Sequence, residues 1–126
     1  MKKIIKTDKA PEAIGPYSQA VKCKSGLIYT AMQIGLDPGT GEFKGDGIES
    51  QTRQAFDNLK NILAAAGCGF ENVVKSTLYF AELKDFARVN ELYSQYFTGD
   101  FPARAAVEVS ALPKGALIGI EMVAEH

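Results

Sequence analysis

Histidine, cysteine and net charge are what this chain has least of, and each shortage removes a class of chemistry. There is one His, His126, the last residue of the sequence. Ser-His-Asp, Cys-His and multi-His zinc sites need imidazoles inside the fold, so none is expected, and no metal is expected. Chemistry has to come from carboxylates, Arg, Lys, Tyr, hydroxyls or backbone groups. Cysteine is limited to Cys23 and Cys68, far apart and without a C-x-x-C spacing. Two are too few for a disulfide scaffold or a zinc ribbon, and free thiols in a reducing compartment are the expectation. Lys and Arg number 14 against 15 Asp and Glu, a net charge of −1. The basic residues are scattered rather than clustered, so a nucleic-acid partner is not expected.

Long apolar runs are missing too. None approaches the roughly 20 residues of a membrane helix. The opening Met1-Lys2-Lys3-Ile4-Ile5-Lys6 has basic residues without the apolar stretch of a signal peptide behind them. No N-x-[ST] acceptor occurs. No membrane association and a cytoplasmic location are the expectations. The glycine-rich stretch 39–47 contains neither G-x-G-x-x-G nor G-K-[ST], and Asp46 adds negative charge; it reads as a turn-rich loop, not a phosphate cradle. An EF-hand fails because Gly39 and Gly41 stand where oxygen ligands belong. No cofactor site emerges.

What is present describes one ordinary domain, 1–126. A chain of 126 residues, 46% apolar and 23% charged, can bury roughly two-thirds of its unfolded surface. The arm through Gly15-Pro16 reads as irregular or as a short strand. Tyr17–Lys22 and Leu27–Ile34 read as strands turning at Ser25-Gly26, and 42–44 as a short strand. Ile48, Thr52, Ala55, Leu59, Ile62, Leu63 and Ala66 recur at helical spacing, with Asp46 and Glu49 spaced as a capping box and Gly67 placed as a C-terminal cap. Val73–Phe80 is β-branched and aromatic. Asp85 is placed to cap a second helix with Phe86, Val89, Tyr93, Tyr96 and Phe97 on its apolar side. Ala103–Ser110 and Leu117–Glu125 complete the set. This order is not a βαβα alternation, so the expectation is an α+β domain, one mixed sheet with two helices packed on one face. The other face needs a cover, and a second copy of the chain is the simplest one.

A few polar residues stand in unexpected company. Strand alternation puts Arg104, Ala106 and Glu108 on one face of their strand. Glu121 lies in the aliphatic run Leu117–Val123 and shares its face with Gly119; an unpaired buried carboxylate there would be costly. Asn90 borders the apolar stripe of its helix, and Tyr17 follows a Gly-Pro turn. Arg104 and Glu121 are expected together on the uncovered sheet face. The plain alternatives stay open at this point: Arg104 as half of an ion pair with Glu121 or Glu108, Asn90 as a surface amide, Tyr17 as a core aromatic with a wet hydroxyl.

Five ordered segments make a resemblance. Ala13-Ile14-Gly15-Pro16-Tyr17-Ser18-Gln19-Ala20, Ala64–Gly67 with Val73–Thr77, Phe86–Asn90 with Tyr93, Phe101–Val109, and Leu112–Gly115 with Ile120-Glu121 resemble the YjgF/RidA family of reactive-intermediate deaminases over nearly the whole chain. The resemblance implies a chorismate-mutase-like fold and a homotrimer with clefts between subunits. It implies hydrolysis of 2-imino acids, the enamine/imine products of pyridoxal-phosphate dehydratases, to 2-keto acids and ammonia, without cofactor or metal. Residue by residue, Arg104 matches the arginine that grips the substrate carboxylate and Glu121 the glutamate that holds the attacking water. Tyr17, Ala31, Asn90 and the backbone of Ala106 match substrate-binding positions of the cleft. The chain departs from the family where Ser-Gly-Gln is common: it has Ala31-Met32-Gln33, which removes a hydroxyl and puts a flexible side chain where Gly leaves space. Three other readings stand beside deamination: a non-catalytic binder of small carboxylates, a ribonuclease or translation inhibitor, and a holdase-type chaperone.

Overall fold

The computed structural model describes residues 1–126. Strands β1 (Lys3–Ile5), β2 (Ala20–Lys22), β3 (Leu27–Thr30), β4 (Val73–Phe80), β5 (Ala103–Glu108) and β6 (Ile118–Glu125) form one sheet in the order β1-β2-β3-β6-β4-β5. The sheet is mixed: β4 and β5 run parallel, and every other neighbouring pair is antiparallel. Helix α1 (Ile48–Ala65) links β3 to β4, and α2 (Phe86–Ser94) links β4 to β5. The last strand, β6, inserts between β3 and β4 and so is flanked on both sides. No helix is long and apolar enough to cross a membrane.

Both helices lie on one face. Ala55, Phe56, Leu59, Ile62 and Leu63 of α1 and Val89 and Tyr93 of α2 pack with Ile28, Leu78, Phe80, Ile118, Ile120, Met122 and Ala124 of the sheet into one buried core. Phe56 stacks on Tyr96 at 4.1 Å and meets Tyr93 and Phe70 edge-on; truncating such a ring to Ala typically costs about 3–5 kcal/mol. The opposite face carries Ile4, Val21, Tyr29, Val123, Tyr79, Ala105 and Val107 by register and alternation. Nothing within one chain covers it, and Ile4, Tyr29 and Val107 are exposed.

Several element boundaries differ from the sequence reading. The strand expected at 17–22 begins only at Ala20, because Tyr17 folds back to donate its N–H to Gly15 O at 2.8 Å. The strand expected at 27–34 ends at Thr30. Its ladder with β6 pairs Tyr29 with Val123 and resumes at Gln33 with Ile120, so one strand takes an extra residue over that interval. Ala31 and Met32 sit in this bulge. The 42–44 segment makes only an isolated bridge, Leu36 with Phe43. Helix α1 starts after Gly47 with no side-chain cap, so the Asp46–Glu49 capping box does not form. Asp85 precedes α2 in a helical turn and its side chain accepts no capping hydrogen bond, and Tyr96 and Phe97 join the aromatic cluster from beyond the helix end. Gly67 behaves as expected: at φ 87° it donates to Ala64 O and ends α1.

Candidate functional site

Arg104 stands on β5, an edge strand, paired with Ser76 of β4, whose side chain is buried on the helix side. The arginine therefore projects toward α2. Its Nη1 donates to Asn90 Oδ1 at 2.8 Å. Its guanidinium carbon lies 4.8 Å from the Tyr93 ring centroid and 5.2 Å from that of Phe86. Two π-faces and one amide thus hold the fork, and neither ion pair envisaged for it forms. Glu108 Oε1 instead accepts from the Leu83 N–H, and Arg104 enters no salt bridge. The remaining donors of an exposed guanidinium are available to a carboxylate. Ala106, two residues on and half-buried, packs against the core beside it. Tyr93 is anchored from below by its 2.5 Å hydroxyl contact with Ser76; burial raises its pKa, while the Ser76 bond and Arg104 act in the other direction.

Glu121 lies on the other face of the sheet. Ile118, Ile120, Met122 and Ala124 of β6 point into the core, so Gly119, Glu121 and Val123 point away from the helices. The expected common face for Arg104 and Glu121 is thus wrong. Register alone decides it: Ser76 opposite Arg104 is a core residue, and Thr77 opposite Glu121 is not. Glu121 is half-buried in the central strand and is not orphaned. Oε1 accepts a hydrogen bond from the Tyr79 hydroxyl. That bond is the first cause raising the Tyr79 pKa, followed by burial and the carboxylate's charge, so the phenol stays protonated and remains a donor.

The bulge brings further residues to Glu121's face. A Cβ built on Gly119 would lie 2.5 Å from the Met32 sulfur and 2.9 Å from its Cγ. Met32 therefore occupies the space that Gly119 leaves, two residues from Glu121. Tyr17 is exposed, and together with Met32, Ile14, Pro38 and Lys114 it lines a groove of about 420 Å³. The Ala31 N–H donates to Gln19 O at 2.8 Å. Thr30, next in line, is buried and its hydroxyl accepts from the Met122 N–H at 3.0 Å, so it cannot stand in for a hydroxyl at residue 31.

Three supporting amides, Gln19, Asn58 and Gln51, have no role in the sequence reading. Gln19 is buried; its Oε1 accepts from the Thr7 N–H at 2.7 Å, and its Nε2 donates to the carbonyls of Thr7, Ala10 and Pro11. It fastens the N-terminal arm to the strand that leads to Tyr17 and Ala31. On α1, Asn58 donates to Ile34 O and Leu36 O, and Gln51 Oε1 accepts from the Leu117 N–H. These amides pin the segments that follow Met32 and precede β6. For Asn58 and Gln51 an amide on the buried side of an amphipathic helix was the available signal, and for Gln19 its place in the Ala13–Ala20 segment.

The candidate residues thus form two groups: Arg104, Asn90 and Ala106 beside α2, and Glu121 on the open face with Met32 and Tyr17 at the groove near it, Ala31 lying in the bulge next to Met32. Comparison with known proteins meets this geometry. A family model described as Endoribonuclease L-PSP matches residues 7–126. A human 2-iminobutanoate/2-iminopropanoate deaminase is 52% identical over 124 residues, covering 98% of this chain and 90% of that protein. The chain belongs to the YjgF/RidA family. Among solved structures, a Rid-family protein of unknown function from Yersinia pestis superposes with a TM-score of 0.96 at 46% identity, each chain covered completely. E. coli TdcF with bound serine superposes with a TM-score of 0.93 at 39% identity, with 98% of each chain covered. The α+β fold, two helices on a six-stranded mixed sheet, is that of the YjgF/RidA family.

Proposed function

We propose that this YjgF/RidA protein hydrolyses small 2-imino acids to 2-keto acids and ammonia, at clefts formed between copies of the chain in a homotrimer. The observation that carries the reading is Arg104: an exposed guanidinium, oriented by Asn90 and two aromatic rings, with no carboxylate of its own chain to bind. A 2-imino acid offers a carboxylate beside an electrophilic C=N carbon. The arginine fork takes the carboxylate through two charge-assisted hydrogen bonds, which fixes the imine carbon and lowers the entropic part of the barrier. Glu121 orients a water and accepts its proton as the water oxygen bonds to the carbon; the C=N π pair moves onto nitrogen, which takes up the proton that Glu121 received. The carbinolamine then expels ammonia: Glu121 relays the hydroxyl proton to the amine nitrogen as the C–N bond breaks and the C=O forms. Imines hydrolyse readily in water, so modest acceleration suffices and no metal or cofactor has a step to perform.

The assembly follows from the separation of the two groups. Arg104 and Glu121 lie on opposite faces of one sheet, so one chain cannot present both to one substrate. The apolar open face with Ile4, Tyr29 and Val107 supports burial against another copy. In the arrangement proposed, Arg104, Asn90 and Ala106 of one protomer meet Glu121, Tyr17 and Ala31 of its neighbour. The relatives support the chemistry: one is named as an iminobutanoate/iminopropanoate deaminase, and one holds serine, a small molecule with a carboxylate. The family description names an endoribonuclease. A net charge of −1 and a single His at the last position do not favour phosphodiester chemistry here. The test is to add the purified protein to a running threonine dehydratase reaction and follow ammonia and 2-keto acid. Release should accelerate; an unchanged rate sinks the proposal and leaves a carboxylate binder. Sedimentation at micromolar concentration should give a trimer, and a stable monomer would refute the shared cleft.

A further inference from the structure

The Tyr79 hydroxyl on the Glu121 carboxylate is a contact that neither the motifs nor the proposed mechanism uses. We infer that Tyr79 is a positioning residue for Glu121: by holding Oε1 it leaves Oε2 as the oxygen that faces the water. The inference rests on the deaminase reading and deepens it.

The geometry comes from register. Tyr79 pairs with Gly119 across the β4–β6 ladder, and Thr77 pairs with Glu121. The tyrosine is therefore the diagonal neighbour of Glu121 on the same face, within reach of a long side chain. Gly119 has no side chain to stand between them, and its space is taken by Met32 from the other side. Glu121 is thus held between a donor on β4 and an apolar wall from the bulge after β3. A carboxylate with one oxygen accepting a hydrogen bond from a fixed donor is held in one orientation, with its second oxygen left open. Tyr79 is fit for that role because it stays protonated. The other titratable groups on this face are Lys75 of β4, Tyr29 of β3 and Glu125 at the end of β6, each directed there by alternation, and the exposed Tyr17 at the groove beside Met32; Gly119 and Val123 flank the carboxylate on β6. Beyond β4, the edge strand contributes Ala105 and Val107, which carry no charge.

Tyr79→Phe removes the hydroxyl and keeps the ring. The expected result is unchanged melting and assembly and an unchanged KM, with kcat lowered several-fold, because the substrate carboxylate is still gripped while the base is no longer held. Glu121→Gln run beside it separates the two ideas. If Glu121→Gln turns over as fast as the unsubstituted protein, the reading of Glu121 fails, and the positioning role falls with it. If Glu121→Gln is inactive while Tyr79→Phe keeps both its kcat and its KM, this inference alone is overturned.

Discussion

Replacing Arg104 by Lys separates a carboxylate clamp from a structural arginine. The substitution keeps a positive charge and loses the planar fork. In the folded chain the guanidinium contributes one hydrogen bond, to Asn90 at 2.8 Å, and two ring contacts, to Tyr93 and Phe86. All of these are at an exposed position. Contacts of this kind contribute about 0.5–1 kcal/mol each at exposed sites, and an ammonium retains part of the ring attraction. The fold should lose on the order of 1 kcal/mol, a shift of a few degrees in Tm. The loss on substrate should be larger. A bidentate charge-assisted pair reduced to a single contact costs about 2–3 kcal/mol, or roughly 30- to 150-fold. It should appear in kcat/KM, because ground and transition states both use the carboxylate. The assay is dehydratase-coupled ammonia release on the same preparation used for melting and sedimentation. A large fall in Tm or trimer stability with nearly unchanged activity per folded trimer would refute the clamp and return Arg104 to a packing role.

Three further outcomes can be measured. Met32→Gly should open the space over Gly119 and raise the rate on an aromatic imino acid relative to the alanine- or butyrine-sized ones; an unmoved ratio shows that Met32 does not face the substrate. Glu121→Gln should fold and assemble, since Gln keeps the shape and can still accept from Tyr79, yet lose most turnover in the coupled assay. Stability should decline above pH 10, because burial raises the pKa of Tyr93 and of Tyr96 above the ordinary 10.0. The folded chain then holds protons that the unfolded chain has released, so the contribution is complete below pH 10 and is lost as pH rises through the folded values. Tyr93→Phe should flatten that decline in alkaline melts, while costing about 1 kcal/mol at neutral pH by stranding the buried Ser76 hydroxyl.

The fold was legible where one periodicity ran long enough to be unambiguous. Eighteen residues of α1 and the eight of β4 follow from hydrophobic spacing and β-branching alone. Short pieces were not legible. The difference between a strand to Ile34 and one ending at Thr30 lies in which N–H reaches which carbonyl across β6. A run of Tyr-Thr-Ala-Met-Gln-Ile carries no mark of a bulge. Caps failed similarly: Asp46 and Glu49 have the spacing, but the chain enters α1 through an extended Gly47.

The candidate site shows a deeper limit, and it bears on how the chemistry is assembled. Alternation within a strand says which residues share a face, but not which face the helices cover. That depends on registers between strands distant in sequence. Arg104 and Glu121 each stood out as a polar residue in apolar surroundings, and the natural inference placed them side by side. The ladder instead puts Arg104 opposite buried Ser76 and Glu121 opposite half-exposed Thr77. Had the two been neighbours on one face, the carboxylate would have neutralised the guanidinium, and the fork would have had little reason to bind a substrate. Separation by the sheet leaves the arginine supported by neutral groups, Asn90, Phe86 and Tyr93, and the glutamate by a neutral phenol, Tyr79. Each charge is therefore held in place without being paired. A second copy of the chain can then bring the two groups to opposite sides of one small molecule, the cation toward its carboxylate and the base toward its imine carbon.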